Sequence, residues 1–238
     1  MPPRVTRVRH VALACRDADE TLRFYRDTLG LTVVTDEIDG AGRRTLTLPV
    51  GLSALLVIET GEEKGIDHLA FDCDDATLPR AGTTLGPDAH LGLPMRLFPS
   101  ITPPPAPPGH ALNIDHVVIA SGDSATAAAH FRDELGLEIK RTMARPGTNS
   151  HLEFGKLFDL TLEFAGPPEP RPGPVKGAFW GLVFTVDDID AVVETVRAAG
   201  YPVDDPKPAV QPGAKIAGVK AGTGGVPFAL IQYGALSV

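Results

Sequence analysis

The sequence predicts an α+β fold assembled from four copies of one βαβββ module, the second of them shortened. Three observations carry this. The same opening recurs four times, as "HVALACRD" from His10, "HLAFDCDD" from His68, "HVVIASGD" from His116 and "GLVFTVDD" from Gly181. Each copy reaches an aspartate seven residues on (Asp17, Asp75, Asp123, Asp188), after which the apolar spacing turns from strand-like to helical. Two proline-rich stretches, "PSITPPPAPPGH" at 99–110 and "GPPEPRPGP" at 166–174, then punctuate the repeats.

The elements follow in order. Residues 10–15 form a short apolar run, which suits a strand. Asp17 stands where a helix N-cap belongs, its carboxylate free to accept from open backbone N–H groups. Leu22, Tyr25 and Leu29 share a helical face; Ala128, Phe131 and Leu135 repeat it in the third copy, and Val193 and Val196 in the fourth. Gly30, Gly136 and Gly200 end these helices as C′ residues. Three strand-like runs follow in the first copy, at about 32–38, 43–49 and 53–60, and again in the third, at about 137–143, 150–155 and 159–165. In the second copy "ATLPRAG" leaves space for a turn or two of helix at most, and Pro79 weakens even that. The last strands of copies two and four read as "LPMRLFPS" and "VPFALIQYG". The first proline-rich stretch divides the chain into modules 1 and 2 (1–98), a linker (99–112) and modules 3 and 4 (113–238).

Composition narrows the function. With 30 acidic against 22 basic residues the chain carries a net charge of −8, which argues against nucleic acid or an anionic membrane surface as partner. The N-terminus lacks the apolar core of a signal peptide, and no stretch is long enough to span a bilayer, so a cytoplasmic location is expected. Two cysteines, Cys15 and Cys73, make no disulfide framework and read as small buried residues.

Paired βαβββ modules opening on "DHVxxxxxD", with helix ends "RDTLGL" and "RDELGL", resemble the vicinal oxygen chelate superfamily of glyoxalases, extradiol dioxygenases, methylmalonyl-CoA epimerases and bleomycin resistance proteins. The segment "GTNSHLEFG" from Gly147 is also similar to glyoxalase-like domains. The resemblance implies two glyoxalase-like halves whose mixed sheets form cups. It also implies a divalent metal (Fe, Zn, Ni, Co or Mn) held by the first and last strands of each module.

On strand alternation, His10, Ala12 and Ala14 share one face, and Val11, Leu13 and Cys15 the other, which packs under the helix. His10 then points into the cup, with His68 and His116 in the same place. Gly51 to Glu59 spans eight residues, as does Gly155 to Glu163, which makes the two glutamates correspond to the family's strand-end carboxylate. Copies two and four present Arg96 and Ala229 there, with Gln232 a stand-in only through a bulge. The first half thus offers His10, Glu59 and His68 as metal ligands, with Glu59 also as base; the second half offers His116 and Glu163. Arg96 is placed as an anion-holding donor and His151 as a second substrate contact.

Such a metal chelates neighbouring oxygens of a small oxygenated substrate and steadies developing negative charge. The expected function is a metal-dependent enzyme of glyoxalase, lyase or dioxygenase type. The alternative is a non-catalytic protein that sequesters a small molecule, as bleomycin resistance proteins do. The repeat also admits a homodimer.

Overall fold

The computed structural model describes residues 4–86 and 90–234. The first module runs β1 (Val5–Cys15), α1 (Ala18–Leu22), β2 (Thr35–Ile38), β3 (Arg44–Val50) and β4 (Ser53–Glu59). The second has β5 (Gly65–Cys73), β6 (Thr83–Leu85) and β7 (Met95–Pro99), with only turns where a helix would stand. The third runs β8 (Ala111–Ser121), α2 (Ser124–Leu135), β9 (Glu138–Ala144), β10 (His151–Leu157) and β11 (Leu160–Gly166). The fourth runs β12 (Gly177–Val186), α3 (Ile189–Ala198), β13 (Lys207–Pro208), β14 (Lys215–Val219) and β15 (Phe228–Gln232).

Each half is a mixed, cup-like sheet. Modules 1 and 2 share a seven-stranded sheet in the order β2-β3-β4-β1-β5-β7-β6; modules 3 and 4 share an eight-stranded one in the order β13-β14-β15-β12-β8-β11-β10-β9. Hairpins within a module are antiparallel, while a module's last strand returns parallel to its first, as β11 does to β8 and β15 to β12.

The aspartates cap as their position demands. Asp17 accepts from Glu20 N at 2.9 Å, Asp123 from Thr126 N at 3.0 Å and Asp188 from Ala191 N at 3.1 Å. Gly136 closes α2 in the left-handed region, at φ 66°. The first helix departs from a plain α-helix: after Leu22 it continues as a π-helical turn over Arg23–Thr28, with Leu29 N bonded to Phe24 O at 3.0 Å. Phe24 and Tyr25 are both fully buried there.

By packing, the chain divides into two compact units, each drawn from both halves. One takes the chain up to Val11, Asp67–Pro103 and His116–Trp180; here Phe131 of α2 packs edge-on against Phe164 of β11, with ring centres 5.0 Å apart. The other takes Ala12–Ile66, Pro104–Asp115 and the chain from Gly181 on, and is centred on an aromatic cluster of Phe24, Tyr25, Phe184 and Phe228. Apolar area supplies this cluster's stability, and the edge-on geometry adds a little per pair. Within it the buried Tyr25 hydroxyl donates to Thr223 O at 2.9 Å, and burial raises its pKa. The glycine-rich "AGTGGVP" at 221–227 is thereby a turn that receives a core tyrosine. Tyr25→Phe strands that carbonyl and lowers stability by about 1–3 kcal/mol, read from the denaturant midpoint. Cys15 and Cys73 are buried free thiols.

Candidate functional site

The imidazoles of the first two openings meet. His10 Nε2 lies 3.2 Å from His68 Nε2, and the rings stand edge to face with centres 5.3 Å apart. His68 Nδ1 is 2.7 Å from Asp67 Oδ2. An ionised Asp67 accepts a hydrogen bond from His68 Nδ1–H, which leaves the lone pair on His68 Nε2 to accept from His10 Nε2–H. Three residues thus form a chain in which the two facing nitrogens share one proton. His10 is held neutral: burial first, then His68, Arg96 and Arg9, bring its pKa down to about 3.

Arg96 shares the His68 face. β5 and β7 run parallel, pairing Ala70 with Arg96 and Asp72 with Phe98, and alternation from His68 reaches Ala70 and Asp72. The Arg96 Nη2 donates to Ala81 O at 2.9 Å, but its Nε is buried with no hydrogen-bond partner among the described residues. The guanidinium carbons of Arg9 and Arg96 stand 4.3 and 5.1 Å from the centre of the Phe98 ring, a cation–π arrangement. Behind them Asp72 accepts from Arg9 Nε at 2.6 Å and from Arg7 Nη2.

Glu59 is not in this cluster. Its Oε2 accepts from Ala18 N, the first residue of α1, at 3.1 Å. The register of the hairpins explains this and corrects the expected pairing of Glu59 with Glu163. β3 and β4 pair Val50 with Ser53, whereas β10 and β11 pair Leu157 with Leu160. The turns between them carry the positive-φ residues Gly51 and Phe158. Counted from those turns, Leu56 occupies the place of Glu163, and Glu59 the place of Gly166. The helix ends agree. A Cβ on Gly166 would fall 2.9 Å from Ser124 N, the counterpart of Ala18 N, and Gln232 Oε1 accepts from Ile189 N at 3.2 Å in the fourth module. Gly155, which anchored the sequence alignment, is no turn glycine; it lies inside β10, where Leu137 leaves no space for a side chain.

The second half is organised differently. Parallel pairing sets Val118 beside Glu163 and Val183 beside Ala229, the places matching Ala70 and Arg96. Glu163, 4% exposed, accepts from Arg145 Nη2 at 2.8 Å, and its other oxygen lies 3.7 Å from His116 Nε2. A guanidinium therefore neutralises the carboxylate offered as a ligand. His151 faces away from the cup-side residues: its Nδ1 is 2.9 Å from Ser124 Oγ at the head of α2, while Leu152 lines the cavity on the other face. This corrects its expected place as a substrate contact, since strand alternation gives the cup to its neighbour. Sequence reasoning also missed a second imidazole pair: His90 Nδ1 lies 3.2 Å from His130 Nε2 on α2.

Two nitrogens 3.2 Å apart suit adjacent positions around a divalent ion, with metal–nitrogen bonds of about 2.0–2.1 Å. The rest of the set does not fit one. The third place on the sheet holds Arg96, Glu59 is committed to a helix end, and two arginines already depress the His10 pKa. Among the described residues, no group of three His, Cys, Asp or Glu side chains could hold a metal ion. What the arrangement supplies is a neutral N–H donor, a carboxylate-backed imidazole acceptor and a fixed guanidinium.

The His10 shift carries a pH signature. In the unfolded chain an imidazole takes a proton below about pH 6.5; in the fold His10 takes one only near 3. The unfolded state binds more protons across that window, so stability is lost as pH falls from about 6.5 to about 3. The loss is of the order of a few kcal/mol. His10→Gln removes that slope in denaturant midpoints measured against pH.

A sequence profile of the Glyoxalase/Bleomycin resistance protein/Dioxygenase superfamily matches residues 7–104 and 113–223. No curated protein sequence matches the chain. Among solved structures, a mutant of 4-hydroxymandelate synthase from Streptomyces coelicolor is similar at TM-score 0.73 and 17% identity, over 98% of this chain and 94% of that one. A Mn(II)-bound glyoxalase from Novosphingobium aromaticivorans is similar at TM-score 0.70 and 14% identity, over 97% and 83%. The 2,3-dioxygenase LapB from Pseudomonas sp. KL28 is similar at 0.68 and 18%, over 99% and 94%. At these identities the likeness is one of fold. No described helix is long and apolar enough to cross a membrane. With two repeats matched over most of its length, the chain belongs to the glyoxalase/bleomycin resistance/dioxygenase (vicinal oxygen chelate) superfamily.

Proposed function

We propose that the chain is an enzyme of this superfamily that moves a proton on a small oxygenated anion, with isomerase or lyase character. The observation that carries this is the meeting of His10 and His68 at 3.2 Å on the sheet face of Arg96, whose buried Nε has no partner among the described residues. Arg96 holds the carboxylate or carbonyl oxygens of the anion as a fixed donor. Substrate entry parts the two imidazoles. His68, oriented by Asp67, takes the proton from the carbon next to the carbonyl. The electron pair of that C–H bond moves onto the carbonyl oxygen, where Arg96 and the neutral His10 N–H donate to it. The depressed pKa keeps His10 a donor that does not protonate at neutral pH.

The test follows deuterium exchange at C3 of 2-oxobutanoate and 2-oxoglutarate by proton NMR in D2O. Exchange above the buffer rate, lost in His68→Ala, supports the proposal. Arg96-dependent binding without exchange instead supports sequestration, the reading favoured by the missing third metal donor. Neither binding nor exchange contradicts both.

A further inference from the structure

We infer that the cavity of the third module is a binding site for an aromatic dianion. It has a volume of about 550 Å³, a size suited to a molecule of one or two rings. It is lined by none of the residues of the histidine pair, and the inference does not rest on the activity proposed for them.

Charge is the first argument. The chain as a whole carries −8, yet Arg145, Arg171 and Lys176 line this cavity against a single carboxylate, Glu163, among its lining residues. Glu163 is matched by Arg145 at 2.8 Å, which leaves the charges of Arg171 and Lys176 for a guest. Two cations with no carboxylate partner among the described residues attract a doubly charged anion more than a singly charged one.

The second argument is an unmet donor. Arg145 spends Nη2 on Glu163, but its Nε is buried with no hydrogen-bond partner among the described residues. A buried donor of this kind costs stability until something accepts from it, and an anionic oxygen is the strongest acceptor available.

The third argument is the shape of the apolar surface. Trp180, 54% exposed, lines the cavity together with Val118, Leu152 and Ala165. An indole beside small apolar side chains offers a flat surface for a planar ring. The main chain at Arg171 is held to this wall, because its backbone N–H donates to Gly122 O at 2.9 Å and anchors the proline-rich connection between β11 and β12. A planar ring carrying anionic groups therefore matches the cavity, and the anionic charge can come from a dicarboxylate or a phosphate ester.

Trp180 is the chain's single tryptophan, so its fluorescence reports the cavity directly. The full chain is titrated with terephthalate and with phenyl phosphate, using benzamide and benzylammonium as neutral and cationic counterparts. The expected result is a saturable change in Trp180 emission with at least one dianion and affinities at least about tenfold lower for the counterparts. Binding weakens as salt is raised. The double variant Arg171→Ala/Lys176→Ala loses about tenfold or more. Response to terephthalate alone marks a dicarboxylate site, and response to phenyl phosphate alone a phosphate-ester site. No saturable change with either dianion overturns the inference. So does equal binding of benzamide, or an unaltered affinity in the double variant. Proton exchange at His68 is read separately, so the two proposals fail independently.

Discussion

Asp72→Ala lowers the stability of the fold by about 3–5 kcal/mol. Asp72 is 1% exposed and is the carboxylate shared by Arg7 and Arg9. Arg7 itself is 8% exposed, so removing the acid leaves two cations at a buried point without the charge that balanced them. Losing one partner of a buried ion cluster costs far more than losing an exposed pair, because desolvation of the survivors is no longer offset. Arg9 also donates to Pro99 O at 2.9 Å and covers the Phe98 ring, so the loss spreads to the floor of the histidine site. Urea unfolding reads it as a lower midpoint at unchanged slope. A shift below about 1 kcal/mol would mean that the triad is solvated and makes no structural contribution.

The second large effect is on chemistry. If the proposed proton exchange is the activity, Arg96→Ala cuts it about 10²–10³-fold, the usual cost of removing a donor aimed at developing negative charge. The fold itself loses little, since among the described residues Arg96 makes one hydrogen bond, to Ala81 O, and one contact with the Phe98 face. Arg96→Lys does not restore the rate, because a single ammonium lacks the planar fork that meets two oxygens at once. Parallel measurements of exchange rate and thermal midpoint separate this outcome from unfolding.

Most of the fold was legible because its signals are local. An N-cap aspartate, an apolar stripe and a left-handed glycine each act within a few residues, and the repeat shows them several times over. Asp123, Phe131 and Gly136 play the parts their spacing announces. The shortened second module was legible too, through Pro79 and the brevity of "ATLPRAG". The meeting of His10 and His68 could be read because equivalent strands of one sheet place equivalent residues on one face.

What was not legible depends on register and on distant partners. The place of Glu59 turns on which residue occupies the positive-φ corner of a hairpin, and there Gly51 corresponds to Phe158 rather than to another glycine. Phenylalanine in that conformation gives no sequence signal. Glu163 faced inward as alternation requires, but its partner Arg145 comes from the loop after β9, which periodicity cannot place. Asp67 was in plain view, directly before His68, and the repeated "DH" pair was the signal that could have found it. Asp115 occupies the same position before His116 yet accepts from Tyr233 at 2.8 Å, so the dipeptide alone does not define the role.

The most direct test of the histidine site is imidazole nitrogen NMR on the uniformly labelled chain, followed from neutral pH into acid. The account predicts that His68 carries its proton on Nδ1 and His10 on Nε2, and that His10 stays neutral down to a pH of about 3. Protonation of His10 near its ordinary value, or two facing Nε2 atoms both stripped of protons by a bound divalent ion, would contradict it.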